Sequence, residues 1–65
     1  MDLQSDIAIL AAHLVEQHGR RAAAVAETLA TDHVAVGDGE GAAFWSRVER
    51  AVHAMEAAGK QAQRA

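Results

Sequence analysis

Sixty-five residues carrying a net charge of −3, 51% apolar and without a cysteine, make one small domain at most and leave no route to disulfide staples or thiolate metal sites. The acidic balance works against broad attachment to nucleic acid or an anionic membrane, and no apolar run approaches the roughly 18 residues needed to span a bilayer. A chain this short buries only about 60% of the surface that its unfolded form exposes, so its core is thin from the outset.

Proline is absent, β-branched residues are sparse and alanine dominates, so helix is favoured nearly throughout and glycine supplies the punctuation. The first predicted helix covers 3–18. Leu3, Ile7, Leu10 and Leu14 recur at steps of four, three and four, which sets them on one face, and Ala8, Ala11 and Val15 widen the stripe. Asp2 or Ser5 caps the start, and Gly19 takes the left-handed conformation that ends the helix. Ile9 points almost opposite Leu10, beside Ala12 and Ser5. A thin core makes Ile9 and Ala12 the first candidates for a second contact surface.

The stretch QHGRR, residues 17–21, joins the first helix to the second. Arg20 and Arg21 face the partial negative charge at one helix end and the partial positive charge at the next, two effects that largely offset. Free N–H groups there, with His18, Arg20 and Arg21, form a possible anion site, but a glycine-capped corner in solvent accounts for the same residues. The second helix is predicted over 20–36. Ala22, Val25, Ala26, Leu29, His33 and Val36 share its apolar side, Glu27, Thr28 and Thr31 turn away, and its many alanines allow close approach of a neighbour. His33, within that apolar side, requires a hydrogen-bond partner as a core or rim residue; the sharper alternative is a pH-sensitive contact between subunits.

GDGEG, residues 37–41, is a turn in which Asp38 caps the third helix and Glu40 adds favourable negative charge to its first turn. That helix is predicted over 39–58, with Phe44, Trp45, Val48, Ala51, Val52 and Met55 as the best-defined core stripe. Trp45, the one tryptophan, is read as core with an interface role as the alternative, and Gly41 leaves space for another helix to pass. Gly59 closes the helix, which gives a single domain over 1–59 and a frayed tail over 60–65.

The histidines at 13, 18, 33 and 53 lack the three- or four-residue spacing by which ligands on one helix converge. Glu49, His53 and Glu56 share a flank, where Glu49 with His53 and Glu56 with Lys60 read as ordinary pairs four apart. Ser5 and Ser46 lie in no nucleophile motif, and the glycines of GDGEG follow no strand that would make them a phosphate loop. No enzyme activity, cofactor or metal is expected.

The fold expected is all-α: three short helices in a hairpin plus a third helix, completed as a dimeric bundle. Two apolar stripes exceed what three short helices hide, so a homodimer built by helices one and three is expected, with Ile9, Ala12, Leu14, His33 and Trp45 as contact residues. This describes a non-catalytic interaction or structural protein of the cytoplasm that offers a partner helix a groove near Trp45 and Ile9. The acidic N-terminal MDLQSD, unlike a signal peptide, supports that location. The alternative is a small regulator that binds nucleic acid or a phosphorylated ligand through Arg20, Arg21, Arg47 and Arg50, against which the overall charge argues.

The whole chain resembles a group of short, functionally uncharacterised bacterial proteins, mostly alphaproteobacterial. It shares an apolar first helix ending in His18-Gly19, an alanine-rich second helix, and Gly37-Asp38, Gly41 and Trp45 opening the third. The resemblance implies a bacterial cytoplasmic helical protein and brings no catalytic residues with it. Arg20 and Arg21 stand where that group has more acidic residues, which removes support for an anion site common to the group.

Overall fold

A computed structural model describes the backbone of residues 3–64 and the side chains of residues 4–59. It is all-α among the described residues: α1, Leu3–His18, passes through a 3-10 turn, Gly19–Arg21, into α2, Ala22–Ala35, and α3 spans Gly39–Arg64. The glycines place the joints. Gly19, at φ 56, and Gly37, at φ 78, adopt the left-handed backbone that other residues resist, and each terminates a helix as expected. Arg20 and Arg21 belong to the 3-10 turn, whose Gly19 carbonyl accepts a hydrogen bond from the Ala22 N–H, so α2 begins two residues later than its predicted start.

The hairpin of this fold is α2 with α3, which are joined by three residues and share the most extensive contact. α1 packs chiefly on α3 and least on α2. Ile7, Ala11 and Leu14 of α1, Ala22 and Ala26 of α2, and Val48 and Val52 of α3 form one buried cluster. Val48 and Val52 are its largest fully enclosed side chains, and Ala11, Ala22 and Ala26 are as completely buried. Methyl-sized side chains at these positions let three backbones approach closely, so the centre is filled by proximity more than by bulk. Leu10, Val15, Val25, Phe44, Trp45, Ala51 and Met55 pack around it half-buried. The Phe44 and Trp45 rings meet edge to face at 5.6 Å and 85°, an arrangement that aligns the positive rim of one ring with the negative face of the other.

Four further expectations need correction. Leu14, expected at a subunit contact, is only 6% exposed within its own chain, because its step of three from Ala11 points it into the α1–α3 seam. Ala8 is exposed and does not widen the α1 stripe. Val36, expected on the apolar side of α2, is 78% exposed, since it is the C-cap and the chain is already turning there. Finally, α3 continues through Gly59 to Arg64, well past the predicted stop at 58. Gly59 lacks the left-handed backbone of a cap, and an interior glycine weakens a helix by only about 1 kcal/mol relative to alanine, too little to end one flanked by good helix formers. Side chains of the expected tail, 60–65, lie outside the described residues. At 26 residues, α3 is about 39 Å long and sets the longest dimension of the molecule, 44 Å.

Candidate functional site

The densest polar cluster lies where α2 turns into α3. The Gly37 N–H donates to the Val34 carbonyl at 3.0 Å and the Asp38 N–H to the His33 carbonyl at 2.8 Å, the paired bonds that close a helix whose next residue is left-handed. Asp38 then begins the following helix. Its carbonyl accepts from the Ala42 N–H and its Oδ1 from the Gly41 N–H, each at 3.0 Å, which satisfies a backbone donor that has no partner within α3. In such turns the two side chains brought together are often apolar, but here they are His33 and Asp38. Nδ1 of His33 lies 2.8 Å from Oδ2 of Asp38. A carboxylate only accepts, so Nδ1 carries the proton in this bond. One aspartate thus holds both the end of α2 and the start of α3, and His33 has the partner that its position required.

Gly41 owes its identity to this pair. A Cβ there would fall 2.5 Å from His33 Nδ1 and closer still to Asp38 Oδ2, so the space expected for a passing helix is occupied by the cap itself. Gly59 sits in open space. Chemical denaturation of Gly41→Ala and Gly59→Ala should therefore give opposite signs. The first forces the pair apart and loses about 1 kcal/mol, while the second gains about 0.5–1 kcal/mol from the helical preference of alanine.

The Gly41 N–H, and after it the His33 side chain, hold the Asp38 carboxyl below its ordinary value of 3.8. Because the folded value is the lower one, this contribution to stability is complete above 3.8 and is lost as pH falls through the folded value. An acid titration followed by circular dichroism should show a stability component below pH 4 that Asp38→Asn removes.

The remaining candidates are dispersed. Ile9 is 68% exposed and Ala12 and His13 beside it are exposed too, so the outward side of α1 is open as predicted. Trp45 is half-buried against its own core. His18, Arg20 and Arg21 are all exposed at the α1–α2 corner. Arg47 and Arg50 line a cleft with Gln4, Ile7 and Ala51 between α1 and α3, whereas Arg21 lines a different groove on α2, so the four arginines do not line a single surface. Glu49 and His53 form the predicted pair, Oε2 to Nε2 at 3.5 Å, while the expected Glu56–Lys60 pair lies outside the described residues at Lys60. Among the described residues no three histidine, aspartate or glutamate side chains converge as metal ligands would, and no helix is long and apolar enough to cross a membrane.

A groove on α2 is not among the sites expected from the sequence. Arg21, Ala24, Val25, Thr28 and Leu29 line it on the side of α2 turned away from Ala22, Ala26 and Ala30. Thr28 Oγ1 donates to the Ala24 carbonyl at 2.9 Å, so its hydroxyl is satisfied within the helix and its methyl is what the groove presents. The spacing 21, 24, 25, 28, 29 marks this stripe in the sequence, but the polar Thr28, expected to turn away from the apolar side, interrupts it. No family model matches the chain, and neither the curated proteins nor the solved structures show a significant similarity to it.

Proposed function

We propose that this chain is a small non-catalytic interaction protein of the cytoplasm, a homodimer in its working state, that also offers Ile9 and Ala12 to a protein partner. The observation that carries this reading is the amount of aliphatic surface left over once the core is closed. Ile9 is 68%, Val34 65% and Val36 78% exposed, and Val25 and Leu29 line an open groove. Isolated exposed aliphatics are ordinary, but here Val25 and Leu29 stand on consecutive turns of α2, Val34 and Val36 at its C-terminal end and Ile9 on the outer side of α1, in a chain with little burial to spare. Docking a second copy removes such surface from water, and a twofold dimer is the commonest way to do so.

Light scattering after size exclusion tests the proposal. A dimer mass at tens of micromolar that falls toward the monomer on dilution is the expected result. A monomer mass at every concentration would remove the self-association reading. Salt-sensitive retention on a DNA or phosphopeptide column, abolished by Arg20→Ala with Arg21→Ala, would favour the regulator alternative instead.

A further inference from the structure

The grooved side of α2 has a charge pattern that singles out one occupant. Arg21, Ala24, Val25, Thr28, Leu29 and Asp32 follow one another at steps of three, one, three, one and three, so they form a single straight stripe over three turns. Its interior is uncharged: two aliphatic side chains, an alanine and a threonine whose hydroxyl is bonded back to Ala24. Its ends carry opposite charges, Arg21 at the start of α2 and Asp32 in its last turn. Both are exposed, and neither has an ion-pair partner among the described residues.

We propose that a second copy of the chain docks here, α2 against α2, antiparallel across a twofold axis that passes between Ala26 and Glu27. That register follows from the residues. It sets Arg21 opposite the partner's Asp32, Ala24 opposite the partner's Leu29, and Val25 opposite the partner's Thr28, and the axis repeats each pairing in reverse. Each charge lies about 8 Å along the helix from the axis, so both ion pairs form at once and close the two ends of the apolar stripe. Small side chains at Ala24, Val25 and Thr28 permit the close helix spacing that such a contact needs.

The placement of the charges is otherwise unfavourable. A cation at a helix start and an anion in its last turn both oppose the helix dipole, and Arg21 occupies the cap position without a capping hydrogen bond. An antiparallel partner reverses this, since each charge then faces its opposite and the neighbouring helix presents the other pole. This inference rests on the self-association proposed above and adds its geometry.

Charge reversal tests it. Arg21→Asp and Asp32→Arg each place like charges opposite one another in the homodimer, and should raise its dissociation constant about tenfold in low salt, because each change acts twice across the axis. An equimolar mixture of the two variants pairs opposite charges again and should return to within about threefold of the unmodified chain, as a heterodimer. Both substitutions favour the isolated helix, the first by supplying a good cap and the second by suiting the dipole, so unfolding cannot mimic the loss. Dimerisation as tight with either substitution as in the unmodified chain would overturn the α2 pairing and leave self-association standing. So would single variants that weaken without recovery in the mixture. A chain monomeric at all concentrations would instead overturn the self-association itself.

Discussion

Leu14→Ala should lower stability by about 2–5 kcal/mol, a large part of what a chain of this length can have. Leu14 is 6% exposed and packs with Ile7 and Ala11 of its own helix against Val48 and Val52. Removing three carbons there opens a cavity at the α1–α3 seam. Since about 1 kcal/mol moves the midpoint of a small domain by some 4–8 °C, thermal unfolding should shift down by about 10 °C or more. The loss should persist at every protein concentration. A residue that acted only between subunits would instead lose its effect on dilution, which separates the observed role of Leu14 from the expected one.

Ala26→Leu is the second large expectation, in the opposite sense of volume. Ala26 is fully buried between Ala22 and Ala30 on the side of α2 that meets α3, where the backbones are close because the side chains are small. Three extra carbons must push the hairpin apart, at a cost of about 1–3 kcal/mol or more, although leucine is nearly as good a helix former as alanine. Ala8→Leu, at an exposed position of α1, supplies the control and should stay within about 0.5 kcal/mol of the unmodified chain. Equal tolerance of both substitutions in denaturant titrations would mean that the alanine seam is not the centre of the core.

The outline of the fold is legible in the sequence because glycine and aspartate carry their effects locally. The left-handed backbone at Gly19 and Gly37 and the cap at Asp38 follow from residue type alone, and the helices between them follow from alanine and a step of three or four. The α3 stripe is equally plain, because Val48 and Val52 stand among charged neighbours.

Contrast is missing in α2, where alanine lies on both sides. The expected apolar face takes in Ala22, Val25, Ala26, Leu29, His33 and Val36, whereas the buried residues of α2 are Ala22, Ala26 and Ala30. Val25 and Leu29, half-buried beside that face, line the groove. Gly59 misled for a related reason, since the same residue type serves as a cap only when its backbone turns left-handed, which its neighbours decide. The His33–Asp38 bond was hidden because its partners lie five residues apart, off any helical period, and meet only through the geometry of the turn at Gly37.

If a second copy covers the aliphatic surface that one chain leaves exposed, association stabilises the folded state. Thermal unfolding recorded from about 1 to 100 µM tests this most directly, because a folded state that includes a partner becomes more stable as its concentration rises. A midpoint that climbs steadily across the series is the predicted outcome. A midpoint unchanged over that hundredfold range, with the full cooperativity of a folded domain, would show that a single copy is sufficient and would contradict the account.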